Sequence, residues 1–179
     1  MGRPMQSPQP EENLDDIEVP LYVEPFKGWR TWNVQINSDS VQLKSITYRV
    51  KWPYKKPMRA HCLVQWRYQR STDKLTDTHS APHLKHGCGI YSTKIRKDVN
   101  LWTSQSTTQL AVVGEVKLWG KTFCFKKGYV SEFAYPTSIF VDPAAWNKVK
   151  EENKTDITPH ELMNALAESY DVPVVIEGS

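Results

Sequence analysis

Four side chains near the middle of the chain have the chemistry of metal ligands. They are Cys62, His79, His86 and Cys88. Two thiols and two imidazoles form a donor set typical of tetrahedral Zn²⁺. Their spacing matches no standard zinc finger, and His83 or His61 could replace one of them. Because a catalytic zinc keeps one position for water, four protein ligands predict a structural zinc. The alternative is that Cys62 and Cys124 are small buried hydrophobes and that His79, His83 and His86 lie on a loop surface.

Two residues are candidates for catalysis, which would make the protein a small hydrolase or transferase. Cys88 is a candidate nucleophile, and Glu132, between aromatic residues, is a candidate general base. Catalytic partners usually meet in space rather than in sequence, so the histidine close to Cys88 is weak support. The alternative for Glu132 is an exposed strand residue paired with lysine or arginine. Since no nucleophile-elbow, Walker A, Rossmann or H-E-x-x-H motif is present, the sequence favours binding over catalysis.

Aromatic and basic residues stand side by side at several points. On a sheet surface, aromatic rings stack on bases, at about 1–3 kcal/mol per base, while lysine and arginine hold phosphates. The predicted nucleic-acid-binding residues are Arg30, Trp52, Lys55, Lys56, Arg67, Trp119, Lys126 and Lys127. Trp52 and Trp119 are the tryptophans expected to be exposed, and most of the others are expected in the core. The alternative role of the loop lysines is solubility and protection of strand edges.

Formal charge is segregated along the 179 residues. Residues 1–20 carry −4, residues 21–150 carry +13 and residues 151–179 carry −6. A domain this basic attracts polyanions by long-range electrostatics, which favours DNA or RNA as the partner. The alternative is a solvated basic surface balanced by acidic ends. Residues 1–20 contain too few apolar side chains to offset the entropy of ordering, so an acidic disordered arm is predicted there.

The elements that must position these side chains are mostly strands. Residues 32–36 alternate between apolar and polar types, which is the strand period. Similar short runs recur as far as residue 141, with breaks predicted at Gly114 and Gly120. Strands at this spacing predict a mainly β domain over residues 21–150, built as a single antiparallel curled sheet or a small barrel.

The acidic C-terminal segment, 151–179, is predicted to contain a helix and an extended tail. Thr158, Pro159 and Glu161 have the types typical of an N-cap, the first helical position and the third. Apolar residues at helical spacing follow, which predicts a helix over 159–169. The tail is predicted over 174–176.

The cellular compartment is constrained by what the sequence lacks. No run approaches the length of a transmembrane helix, and the acidic first residues do not resemble a signal peptide. The count of 3 cysteines is odd, which argues against a disulfide framework. We expect free or metal-bound thiols in a reducing, cytoplasmic setting, with no membrane partner.

Several short motifs occur in a recognisable order. They are Gly28-Trp29-Arg30-x-Trp32, Ala60-x-Cys62, His79-x-Ala81-Pro82, Cys88-Gly89-Ile90-Tyr91, Gly114-x-Val116-x-Leu118-Trp119-Gly120 and Gly128-Tyr129-x-x-Glu132-x-Ala134-Tyr135-Pro136. Over about residues 26–141 this order resembles a family of uncharacterised proteins from bacteria and their phages. The resemblance implies a shared fold and a bacterial or phage setting, and no reaction. In the family pattern a cysteine commonly stands at the place of His86, which supports a metal donor there.

The sequence thus predicts a nucleic-acid-binding accessory protein with a structural zinc site, in a phage or bacterial setting. The alternative partner is a host protein, contacted through the acidic arm or the predicted C-terminal helix.

Overall fold

Strands account for most of the described structure. The computed structural model describes residues 24–37, 40–46, 50–62, 79–83, 87–103, 110–147 and 157–178. The strands are β1 (Phe26–Asn37), β2 (Ser40–Ser45), β3 (Met58–Arg59), β4 (Ile90–Thr93), β5 (Ala111–Cys124), β6 (Gly128–Val141) and β7 (Val174–Ile176). The helices are α1 (Arg96–Thr103) and α2 (Pro159–Tyr170), with a further helical turn over 143–147. The predicted arm, residues 1–20, lies outside the described residues.

The strands of the described segments form one seven-stranded sheet that closes on itself without making a regular barrel. Strand β1 pairs with both β4 and β5, and both of these pair with β6. Strand β2 extends the sheet beyond β1, while β3 and β7 pair with β6. The predicted mainly β class, with a curled sheet and a C-terminal helix, is confirmed. The predicted tail is β7, and it runs parallel to β6, so the sheet is not wholly antiparallel.

Strand β5 is continuous, which corrects the breaks predicted at Gly114 and Gly120. Two register shifts against β6 absorb the irregularity. At Gly114 the missing side chain serves packing, because a Cβ there would lie 2.2 Å from the Ser138 carbonyl oxygen and 2.8 Å from the Trp32 ring. Glycine inside a strand often marks such a close approach.

The core contains Trp52, which corrects its predicted exposure. Its side chain is only 1% exposed. The Trp52 backbone N–H donates to the Leu43 carbonyl oxygen at 2.9 Å, which draws this segment against β2. The ring then meets Trp32 edge to face, with 5.3 Å between centroids, and its indole N–H donates to Ser45 Oγ at 3.0 Å. The buried ring is therefore closed to a nucleic-acid base.

Helix α2 begins at the predicted residue. Thr158 Oγ1 accepts a hydrogen bond from the Glu161 backbone N–H at 3.2 Å, and Glu161 Oε2 accepts one from the Thr158 backbone N–H at 2.7 Å. This reciprocal capping box satisfies two amide groups that the first helical turn would leave unpaired. Leu162 and Leu166 of the same helix are completely buried, so the cap fixes an element of the core. No helix in the described ranges is long and apolar enough to cross a membrane.

Tyr170, the last residue of α2, ties the helix to β2. Its hydroxyl accepts hydrogen bonds from the Leu43 backbone N–H at 2.8 Å and from Gln42 Nε2 at 3.0 Å. The same hydroxyl donates to the Trp52 carbonyl oxygen at 3.2 Å. One fully buried hydroxyl therefore joins three segments of the chain.

Removing the helix cap is expected to destabilise the fold. Thr158→Ala deletes the side-chain acceptor and should cost about 1 kcal/mol, which lowers the melting temperature by roughly 2–4 °C in a chain of this size. Calorimetry or circular dichroism would measure the shift. The matched control is Asn164→Ala, at an exposed position inside the same helix, which should leave the melting temperature unchanged or slightly higher. Equal losses in both variants would contradict the capping role.

Raising the pH is expected to destabilise the fold through Tyr170. Burial raises the pKa of Tyr170 to about 12, because the phenolate would lose its hydration. The folded-state pKa lies above the ordinary value of 10.0, so this contribution to stability is intact below pH 10 and is lost as pH rises through about 12. Denaturant titrations at several pH values would measure the free energy of unfolding.

Tyr170→Phe is expected to be less stable than the parent protein at neutral pH and to lose less stability as the solution becomes alkaline. Tyr91→Phe is the control, because Tyr91 is 45% exposed. It should keep the parent pH dependence. A Tyr170→Phe curve parallel to the parent curve would show that Tyr170 does not control the alkaline loss.

Candidate metal centre and basic surface

Three of the four predicted metal ligands converge in the fold. The ligand atoms of Cys62, His79 and Cys88 all lie within 4.8 Å of one another. Within this group, Cys88 Sγ is 3.4 Å from His79 Nε2. Ligand atoms around a tetrahedral zinc stand roughly 3.4–3.8 Å apart, given Zn–S and Zn–N bonds of about 2.3 and 2.0 Å. The group could therefore hold a metal ion after small side-chain adjustments.

The backbone around Cys88 fixes the direction of this ligand. His83 and Cys88 form an isolated antiparallel bridge, so the segment folds back on itself just before β4. Gly89, between Cys88 and β4, has a φ of +136°, which side chains rarely adopt. A Cβ at Gly89 would also lie 2.4 Å from Val130 Cγ1. Glycine at this position therefore allows the bridged segment to enter β4 against β6.

A tetrahedral site needs a fourth ligand, which the three converging residues do not include. His86, the predicted fourth ligand, lies outside the described residues. The His83 ring packs against the His79 ring, with 4.5 Å between centroids, so His83 is near the group. His61 is exposed and does not belong to the group. His86 and His83 remain the two candidates.

The electrostatic surroundings of Cys88 disfavour its use as a free nucleophile. Burial raises the pKa of the Cys88 thiol, and the nearby Cys62 adds to the increase, while a hydrogen bond from the His83 backbone opposes it. Reactive cysteines instead have lowered pKa values in electropositive, partly exposed surroundings. A bound cation would favour deprotonation of both thiols.

Glu132, the other catalytic candidate, is engaged in structural contacts. Its carboxylate lies 3.6 Å from an Arg59 guanidinium nitrogen and accepts a hydrogen bond from the Lys121 backbone N–H at 3.3 Å. Its side chain is 20% exposed. These contacts confirm the expectation that it is paired with a basic residue. They link β3 to the β5–β6 hairpin.

Arg30 is half-buried, and contacts within the fold hold its guanidinium group. Its guanidinium group donates to Ser45 Oγ at 3.1 Å and to the Tyr91 carbonyl oxygen, and it lies over the Trp52 ring at 5.3 Å. The predicted stacking of Trp52 on a base is wrong because its ring is buried, whereas the predicted phosphate contact of Arg30 stays a prediction. Both side chains lie on the inward-packing face of their segments.

The remaining predicted nucleic-acid contacts lie in several places. Lys55 and Lys56 are exposed in the turn before β3, and Lys126 and Lys127 are exposed in the turn between β5 and β6. Arg67 lies outside the described residues. Trp119 is half-buried rather than exposed, and it lies on the face of β5 that also carries exposed Lys117. These residues therefore supply charge at two turns and one aromatic ring on a strand.

A mixed aromatic and basic patch surrounds Trp119. We call it the outer strip, and it consists of Arg59, Lys117, Trp119, Phe133 and Tyr135. The register places Trp119 opposite Phe133, Lys117 opposite Tyr135, and Arg59 opposite Phe133. The Trp119 and Phe133 rings are stacked, with 5.9 Å between centroids and 15° between planes, and the Arg59 guanidinium lies 5.6 Å from the Phe133 centroid. Arg59 and Phe133 are not among the nucleic-acid contacts predicted from the sequence, because only strand register shows that they adjoin Trp119.

Comparison with protein-family models, with curated proteins and with solved structures finds no match. The resemblance based on motif order therefore stays a prediction, and the function must be inferred from the chain's own residues.

Replacing either cysteine of the group is expected to abolish metal binding. Elemental mass spectrometry of the purified parent protein should find about one metal ion per chain, and Cys62→Ser and Cys88→Ser should find almost none. Structural metal binding also contributes folding energy, so a chelator should lower the parent melting temperature. The matched control is Cys124→Ser, because Cys124 is a free, exposed cysteine outside the group, and it should retain the metal. A metal-free parent protein would disprove the site.

Proposed function

We propose that the protein is a nucleic-acid-binding accessory protein in which a structural zinc holds the Cys62–Cys88 region and the outer strip binds a single strand. The observation that carries this proposal is the Trp119–Phe133 stack with Arg59 over Phe133. Such a patch combines a π-surface for bases with cations for phosphates, which is the recognition mode of single-strand binders.

The charge of the chain supports the proposal. Residues 21–150 carry a formal charge of +13. On the outer strip, Lys117 is exposed and the Arg59 side chain is 62% exposed, so both can reach phosphates. Glu132 neutralises part of the Arg59 charge, which leaves Lys117 as the less compensated cation. The exposed lysines at the two turns, Lys55–Lys56 and Lys126–Lys127, extend the positive potential beyond the strip.

Zinc is the metal that the donor set favours. Two thiolates and an imidazole suit zinc better than the oxygen-seeking Mg²⁺ or Ca²⁺. A fourth ligand from His86 or His83 would complete a closed tetrahedral site, which supplies structure rather than a water for catalysis. The ion would fasten Cys62 to the segment entering β4. Its proposed contribution is thus to keep the sheet, and with it the outer strip, in shape.

Replacing Trp119 is expected to weaken binding to a single-stranded oligonucleotide. Trp119→Ala should reduce the affinity by about 5- to 150-fold, since one stacked base contributes about 1–3 kcal/mol. Trp119→Phe should recover part of the loss, because it keeps a π-surface. Fluorescence anisotropy with a labelled single-stranded DNA 20-mer would measure the dissociation constants, and melting curves would establish that each variant is folded.

Salt dependence tests the phosphate contacts independently of stacking. Lys117→Ala should reduce the slope of log affinity against log salt concentration by about 0.7 for a single strand. Lys97→Ala is the matched control, because Lys97 is an exposed lysine on α1 outside the strip, and it should leave the slope unchanged. An affinity that is flat across salt concentrations, or unaffected in Trp119→Ala, would refute nucleic-acid binding by the outer strip. The zinc assignment would stand or fall separately, on the metal measurement.

A further inference from the structure

A large cavity lies on the inner side of the sheet, between β1, β4, β6 and the segment that leads into β3. Its volume is about 580 Å³. This is within the range of about 300–1,000 Å³ that is typical of small-molecule sites. The walls are largely apolar, with Trp52, Met58, Ile90 and Val130 among the lining residues.

Arg30 supplies a half-buried positive charge to the lining of this cavity. Its Nε atom is buried and has no hydrogen-bond partner among the described residues, although the other guanidinium nitrogens donate to Ser45 Oγ and to the Tyr91 carbonyl oxygen. Ser92 Oγ, also on the cavity lining, is another buried polar atom without a partner in the described segments. Thr31 Oγ1, of a third lining residue, is also buried without a partner there, so three unsatisfied polar groups belong to the lining of this largely apolar cavity.

No carboxylate of the described residues balances Arg30. None of the residues that line the cavity is an aspartate or a glutamate, and the ion pairs of the described segments involve other arginines. Burial lowers the pKa of Arg30 to about 10, with no opposing effect of an acid. A buried charge without a partner is strongly unfavourable. An anion in the cavity would remove this cost, and guanidinium groups bind carboxylates with oriented, charge-assisted hydrogen bonds.

The number of positive charges on the cavity lining limits the charge of the anion that it can bind. Arg30 is the half-buried cation of the lining, whereas Lys127 is exposed in its turn. One half-buried positive charge matches a monoanion better than a phosphate dianion. The apolar walls match a hydrocarbon or aromatic body, since burial of such a body releases its hydration water.

We infer that this cavity binds a monocarboxylate with an apolar body, whose carboxylate is held by Arg30 and whose body lies against Trp52, Ile90 and Val130. This site is distinct from the outer strip and goes beyond the proposed function. It adjoins the metal group, because Ala60, His61, Gly87 and Gly89, which flank Cys62 and Cys88, line the same cavity. A metal ion at that group would therefore hold one wall of the site.

The first test compares two probes on the unmodified, full-length protein. Isothermal titration calorimetry should show dodecanoate binding at one molecule per chain. Dodecanol, with the same chain and no charge, should bind about ten- to one-hundredfold more weakly, because hydrogen bonds to a charged group contribute about 1.5–3 kcal/mol. Equal affinity for the two probes, or no binding of dodecanoate, would overturn the inference. This comparison needs no variant and does not depend on nucleic-acid binding.

The second test locates the charge that binds the carboxylate. Arg30→Gln should weaken dodecanoate binding to the level of dodecanol and leave dodecanol binding unchanged. Lys97→Gln is the control, because Lys97 is an exposed lysine on α1 outside the cavity lining and the outer strip, and this variant should bind dodecanoate like the parent. If both variants bind as the parent does, Arg30 is not the carboxylate ligand and the assignment is wrong. If Arg30→Gln does not fold, the comparison of the two probes decides alone.

Discussion

The closure of the sheet depends on the short strand β4. One residue pair, Trp29–Thr93, joins β4 to β1, and four residue pairs join β4 to β6. Arg30 adds a hydrogen bond across the same gap, to the Tyr91 carbonyl oxygen. Cys88 stands two residues before this strand, so any restraint on its thiol is transmitted to the ring of strands. A change in the position of Cys88 would consequently move β4, and with it the closure of the sheet and one wall of the inner cavity.

Structural features that depend only on residues close together in the sequence could be predicted. The capping box of α2 needs only Thr158 and Glu161, three positions apart, and its start is correct to the residue. Trp52 and Gly114 were assigned wrongly because their roles depend on distant segments. Trp52 is buried by contacts with β1 and β2, and Gly114 is explained by the ring of Trp32 rather than by a break in the strand.

At the candidate sites as well, the sequence indicates which side chains have suitable chemistry but not where the fold places them. Donor chemistry alone selected Cys62, His79, His86 and Cys88 as candidate ligands, because few side chains bind soft metals, and the structure brings all but His86 together in its described part. Charge alone could not separate Arg30 from Arg59. Both are arginines on strands, yet one lies under Trp52 and the other is 62% exposed beside Phe133. Alternation assigns residues to two faces, and only the closure of the sheet determines which face is inside.

The hydrogen bond between Tyr170 and the Leu43 amide spans 127 residues of sequence, and this separation has a consequence for biosynthesis. The β1–β2 hairpin can pair as soon as it leaves the ribosome, since its strands are close in sequence. At about 5–20 residues per second, α2 follows roughly 6–25 s later. Val41 and Leu43, buried in the finished fold, lack their helical cover throughout this interval. The nascent hairpin therefore exposes these apolar side chains until synthesis of the chain reaches the helix that packs against β2.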